Sequence, residues 1–457
     1  MRWFDDVWTK EVFANFMADK IAREQYPDIN HDLSFIRTHY IPSLATDRTE
    51  GTHPIQQPLA NLNQAGLLYG NIIYHKAPIM MRKLEQQMGE EAFQQGLQEY
   101  LKKFSYGNAT WDDLIGILNE EAPEAHLIDF DRQWVKQKGV PVKALDPLAE
   151  TLPNADGMDY VRYELTNQEA VEKYIGRIFN MPTEQSRLAA VMTLYENILM
   201  HHVNPHTCFT TTLNLANGED NELLLSAYSN YLTGTLTYLT DDERAEGEKL
   251  LWVAAQKHPV MSFRQQLLRS LSRQAQSQEV ADSLYAIWKE GKHPLLNERD
   301  YMQMAYHLAI VRPDDWQQIV STQRDRLANA DVKKEFDFVS RACTPDTSEQ
   351  KRLFESLLRQ ENRAIEPYAS NMLSLLNDPT REPYNNIFIT PGLEILEEIQ
   401  RTGDIFFPLN WCQSLLGGHH SKEAADLVQA FIKAHPDYPV SLRNKLLQAA
   451  YPLINRW

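Results

Sequence analysis

Between Asn167 and Trp457 proline recurs at intervals, from Pro182 and Pro205 to Pro408 and Pro436, and the stretches between carry apolar residues at helical spacing. A proline inside a helix removes a backbone hydrogen bond and clashes with the preceding turn, at a cost of about 3 kcal/mol or more. The chain is therefore cut into helices of roughly 12 to 18 residues. Ala189, Val191, Leu194, Tyr195, Ile198 and Leu199 trace the apolar stripe of one of them. A short helix with one apolar stripe has to bury it on a neighbour. A long succession of such helices without a fixed-length repeat predicts an irregular α-solenoid of the HEAT kind.

The chain before this array also reads as mainly α. Helices are expected over Asp5 to Glu24, Gly66 to Met88, Glu91 to Phe104, Thr110 to Glu121 and Ile128 to Lys138, with an irregular stretch rich in Pro, His and Asp reaching about Asn61. Pro78 kinks or splits the second of these, and a proline is best placed near the start of a new helix, so the backbone around Tyr74 is not ordinary α-helix. Leu152 to Gly157 reads as a turn, and Met158 to Leu165 alternates as a strand does. These signals divide the chain into a helical region 1–145, a short extended linker or small strand pair 146–166, and an α-helical region 167–457.

Composition removes several function classes. A net charge of −17, with no clustered Lys and Arg, argues against nucleic acid, whose phosphates need concentrated positive charge. The three cysteines, Cys208, Cys343 and Cys412, are far apart and lack C-x-x-C spacing, which points to buried free thiols rather than a disulfide framework or a thiolate zinc site. No apolar run approaches the roughly 20 residues that span a bilayer. Compartment and oligomeric state are not legible.

Near the start, Val7, Glu11, Ala14 and Ala18 fall on one helical stripe beside a second ladder of Phe4, Trp8, Val12 and Phe16. An ionised carboxylate among apolar neighbours needs a cation, a metal or several donors. Taken alone, the spacing favours a Glu at the edge of the stripe, ion-paired to Lys or Arg.

The surrounding run Trp3-Phe4-Asp5-Asp6-Val7-Trp8-Thr9-Lys10-Glu11-Val12-Phe13-Ala14 resembles the W-W-x-D-x-W-L-N-E-G-F-A segment of the gluzincin aminopeptidases, the family of aminopeptidase N. It departs at Lys10 for Asn and at Val12 for Gly. Further matches follow in the family's order: Thr52-His53-Pro54-Ile55, Tyr69, Tyr74-His75-Lys76-Ala77, Tyr106-Gly107-Asn108-Ala109, and Trp134 through Pro141. The resemblance implies the helical half of a thermolysin-like catalytic domain ahead of the solenoid, and a zinc-dependent aminopeptidase that removes N-terminal residues from peptides. It implies Glu11 as the third ligand of a single zinc ion, Tyr74 as the phenol that steadies the oxyanion, and Tyr69 as a lining residue of the substrate pocket.

The family's other two zinc ligands and its general base come from an H-E-x-x-H helix about nineteen positions upstream of the third ligand. That motif occurs nowhere in these 457 residues, and neither does the amine-binding G-x-M-E-N. The expectation is a truncated chain, inactive alone, with zinc absent or weakly held, and with too little sequence for the family's intervening β-sandwich. A rival of another class is a non-enzymatic α-solenoid that binds peptides or proteins.

Two histidine groups complete the inventory. His201, His202 and His206 have near-helical spacing, but Pro205 interrupts them, and histidine at a helix end is favoured by the dipole without any metal. His419-His420, after Gly417-Gly418, reads as a solvated loop.

Overall fold

A computed structural model describes residues 6–59, 68–150 and 152–457. Phe4 of the apolar ladder and the Gly66-Leu67 start of the second expected helix lie outside the described residues. The described chain is mainly α and divides into two compact units.

The first unit takes residues 1–142, Met158–Arg162 and Pro439–Gln448. Helix α1 (Trp8–Gln25) buries Trp8, Val12 and Phe16. Trp8 packs on Trp111 with ring centroids 4.8 Å apart, and Phe16 meets Phe93 edge-on at 5.6 Å. Helix α2 (His31–Phe35) opens on Asn30, whose side chain accepts from the Leu33 N–H at 3.0 Å. It runs without a break through a π turn, Ile36–Tyr40, into α3 (Ile41–Asp47). A second π turn, Ile72–Lys76, leads into α4 (Ala77–Met88). Pro78 sits in the first turn of α4, where its missing N–H costs nothing, so the expected split at Pro78 takes the form of a π turn. Helices α5 (Glu90–Lys103), α6 (Trp111–Glu121) and α7 (Leu127–Trp134) complete the layer. Thr110 and Asp113 form a reciprocal capping box at the start of α6. Helix α7 ends at Trp134, short of the expected Lys138.

Extended structure is brief: β1 (Val142–Ala144) pairs with β2 (Arg162–Glu164), so the expected eight-residue strand contracts to three.

The second unit takes Lys143–Gly157, Tyr163–Tyr438 and Ala449–Trp457. Its helices follow a solenoid rule. Neighbours such as Asp241–Lys257 and Met261–Gln274 pack as hairpins, while alternate helices (Glu222–Thr235, Met261–Gln274, Glu298–Val311) stack along the array. Buried carboxylates tie one pair to the next. Glu248, fully buried, accepts from the N–H groups of Gln276 and Ser277 at 3.0 and 2.8 Å, at the entry to the helix Gln278–Glu290, and from Arg244 Nε at 3.0 Å.

Two details of the sequence reading need correction. His419 is not in a solvated loop. Its ring is buried between the Asn386 and Asn377 side-chain oxygens at 3.0 and 2.9 Å, and a Cβ on the preceding Gly418 would lie 1.7 Å from the Asn377 carbonyl oxygen. The double glycine serves close backbone packing. The stripe of Glu11, Ala14 and Ala18 does not face the core either: Ala14 and Ala18 are exposed, and burial follows Trp8, Val12 and Phe16.

Candidate active site

Glu11 lies in the first turn of α1, where the helix dipole favours a carboxylate. Its side chain is 30% exposed and Lys10 Nζ approaches to 3.4 Å. The carboxylate is therefore half-buried with a loose, solvated partner, and its charge reaches the Tyr74 phenol.

Tyr74 sits in the middle of the π turn Ile72–Lys76, with its N–H bonded to the Gly70 carbonyl at 2.9 Å. The extra residue in a π turn displaces the side chains by about 100° from α-helical register. Burial, then the charge of Glu11, then Tyr69 push the Tyr74 phenol above its ordinary value, so at neutral pH it is a hydrogen-bond donor. Tyr69 stacks on Tyr74 with ring centroids 5.8 Å apart, and packs against Val7, Leu59 and Leu68. The structure thus stacks Tyr69 on Tyr74 and leaves the phenol within the electrostatic reach of Glu11.

Two residues later, Lys76 is held from behind. Its ammonium, fully buried, meets Asp47 Oδ2 at 2.8 Å. The Asp47 carboxylate also accepts from Thr52 Oγ1 at 2.5 Å, from the Gly139 N–H at 3.0 Å and from the Tyr160 hydroxyl at 3.1 Å. A buried ion pair with every lone pair engaged makes a rigid anchor, and this one fixes the turn that presents Tyr74. Beside it, burial lowers His53 to about 4, so that imidazole is neutral.

On the other side, the N-terminal part of the helix Val440–Ile454 lies against the site. Lys445 Nζ reaches the Tyr69 carbonyl at 3.4 Å, Gln448 Nε2 donates to the Gly51 carbonyl at 2.8 Å, and burial lowers the Lys445 ammonium to about 8. Asp47 and Lys445 were missed by the sequence reading. For Asp47 the available signal was the Tyr-x-Lys spacing, since a buried Lys76 demands a carboxylate. Lys445, 376 residues from Tyr69, offered none.

Comparison with known proteins bears on this segment. The model of the peptidase family M1 domain matches residues 1–134. Residues 1–134 belong to the aminopeptidase N-like gluzincin family. The gluzincin segment is 32% identical over 142 residues to the probable aminopeptidase 1 of Sulfurisphaera tokodaii, covering 31% of this chain and 18% of that protein. It has the same identity and coverage with the leucyl aminopeptidase of Saccharolobus solfataricus. Against the human endoplasmic reticulum aminopeptidase 2 it is 33% identical over 125 residues, covering 27% of this chain and 13% of that protein. The match thus spans less than a fifth of each relative's length.

Among the described residues no group of three or more His, Cys, Asp or Glu is placed to hold a metal ion. In the gluzincin segment Glu11 is a single donor. A tetrahedral zinc site takes three protein ligands with the fourth position open, so Glu11 fits as one contributor and not as a site by itself. Of the His201, His202 and His206 group, His202 Nε2 pairs with Glu164 at 2.7 Å, and His206 Nδ1 lies 3.9 Å from Glu243. Among the described residues, no helix is long and apolar enough to cross a membrane.

Proposed function

We propose that this chain carries the later part of a zinc-dependent aminopeptidase active site and, as it stands, is inactive alone. Glu11 supplies one carboxylate ligand to a zinc ion whose remaining protein ligands come from an H-E-x-x-H helix. Zinc in such a site polarises the scissile carbonyl and lowers the pKa of bound water. Tyr74, protonated at neutral pH, donates its phenol hydrogen to the carbonyl oxygen of the scissile bond as charge gathers there. Tyr69 stacks on that ring, limits its rotation and lines the pocket for the peptide's first residue. The Asp47 to Lys76 anchor holds the turn so that the donor is already aimed. Region 1–145 is read as the catalytic part, 146–166 as the connection and 167–457 as the solenoid.

The observation that carries the reading is the approach of Glu11 to Tyr74 on a π turn, within a segment whose relatives are named aminopeptidases. The test is hydrolysis of an aminoacyl anilide. The chain alone, supplied with zinc, should show no turnover. Joined to an upstream H-E-x-x-H segment from a relative, it should gain turnover, and Tyr74→Phe in that protein should reduce kcat by about 10²–10³-fold with zinc content unchanged. Near-unchanged turnover in the Phe variant removes Tyr74 from the mechanism.

A further inference from the structure

The two π turns of the first unit pack against each other, and each carries a histidine into the contact. His39 comes from Ile36–Tyr40 and His75 from Ile72–Lys76. Their Nδ1 atoms stand 3.4 Å apart, long for a hydrogen bond between two nitrogens. The same separation has another meaning. Two imidazole nitrogens bound to one tetrahedral ion at about 2.0–2.1 Å lie about 3.3–3.4 Å from each other.

We propose that His39 and His75 form a bidentate site for a borderline transition-metal dication such as Zn²⁺, Ni²⁺ or Cu²⁺, separate from the Glu11 position. The donor set suits such ions, since neutral imidazole is the ligand they share and carboxylate-preferring Mg²⁺ or Ca²⁺ find nothing to select here. A second shell is in place. The outer nitrogen of His39, Nε2, lies 3.7 Å from Asp19 Oδ2, an arrangement that favours the proton on Nε2 and turns the Nδ1 lone pair inward. Phe35 packs against the His39 ring in a tilted arrangement, 4.6 Å between centroids, and restricts its rotation. His39 is only 6% exposed and His75 is partly buried, so both rings are held largely out of bulk water. Binding requires His75 to carry its ring proton on Nε2, so that both Nδ1 lone pairs face the ion.

His39 and Asp19 line a cleft of about 620 Å³. Its cations do not oppose a dication, because Lys20 pairs with Glu85 and Glu90, and Arg23 and Arg82 both pair with Asp32. With two protein ligands the remaining coordination positions fall to water, consistent with the absence of any three-donor group among the described residues.

The test uses the purified chain. Stripped of metal and given a single equivalent of Cu²⁺, it should show nitrogen hyperfine structure from two imidazoles in its electron paramagnetic resonance spectrum, which needs no variant. In calorimetric titration with Ni²⁺, His39→Asn and His75→Asn should each weaken binding by at least about tenfold, and Asp19→Asn by about tenfold. His206→Gln, in the separate histidine group beside Glu243, should bind as the unmodified chain does. Thermal unfolding of the metal-free variants separates lost ligation from lost folding. Absence of metal binding, unchanged affinity in folded His39→Asn or His75→Asn, or loss of binding in His206→Gln would overturn the assignment.

Discussion

Lys76 and Asp47 meet at 2.8 Å with neither side chain exposed at all, two residues along the backbone from the Tyr74 phenol. Breaking a buried pair by removing one partner leaves an uncompensated charge and costs about 3–5 kcal/mol. Lys76→Met should therefore lower stability by about that much, measured by urea unfolding. The double variant Lys76→Met, Asp47→Asn should recover part of the loss, since Thr52 and Gly139 still find the amide oxygen at position 47 and the Tyr160 hydroxyl can accept from the amide nitrogen. A Lys76→Met chain as stable as the original would show the pair to be dispensable.

Gly51 is a second sensitive position. A Cβ there would sit 2.3 Å from the Asn444 carbonyl oxygen and 2.9 Å from Leu447 Cβ, so the helix Val440–Ile454 must move away. Gly51→Ala should cost about 1–3 kcal/mol. Amide hydrogen exchange should quicken at residues 440–448 while the buried core of α6 stays protected.

Acid should destabilise the first unit through its buried histidines. Burial lowers His53 and His75 to about 4 in the folded chain, against an unfolded value near 6.5. Because the folded value is the lower one, their contribution is complete above about pH 6.5 and disappears as pH falls toward about 4. His53→Gln should flatten the fall in stability across that window, which chemical denaturation at stepped pH will measure.

His420 behaves in the opposite sense. Its hydrogen bond to Glu382, 2.8 Å away, raises it above the ordinary histidine value. Burial alone would push Glu382 up, but hydrogen bonds from His419, His420 and Ser421 outweigh it and hold the carboxyl down. The folded histidine value being the higher, this stability is present below about pH 6.5 and fades as pH rises past the raised value. His420→Gln should cost more at about pH 5 than at about pH 9. An equal cost at both would remove the ion pair from the account.

The thiols of Cys208, Cys343 and Cys412 are each pushed up to about 12 by burial. Iodoacetamide should leave all of them unmodified in the native chain and alkylate all of them in guanidinium. Rapid labelling of any one under native conditions would mark a local opening.

The helical array was legible because proline spacing and apolar stripes act locally, within a turn or two of each residue. Glu11, Tyr69 and Tyr74 were singled out by the resemblance to a family's ordered motifs, and the disturbed backbone near Tyr74 could be read from Pro78. The face of α1 could not. Ala14 and Ala18 counted as apolar, yet alanine gains little from burial, and the aromatic ladder through Trp8 and Phe16 decided which side turned inward. His419 was misjudged because its partners, Asn377 and Asn386, lie 42 and 33 residues away. Pairing across such separations leaves no periodic trace.

The return of Pro439–Gln448 to the first unit sets a timetable for synthesis. Lys445 is translated 376 residues after Tyr69, an interval of about 20–75 s at ordinary elongation rates. Throughout it the surface around Gly51 and Tyr69 waits on the ribosome without the helix that will cover it. A holdase that recognises apolar surface has that interval in which to act, and a stall before Lys445 leaves the nascent first unit unclosed.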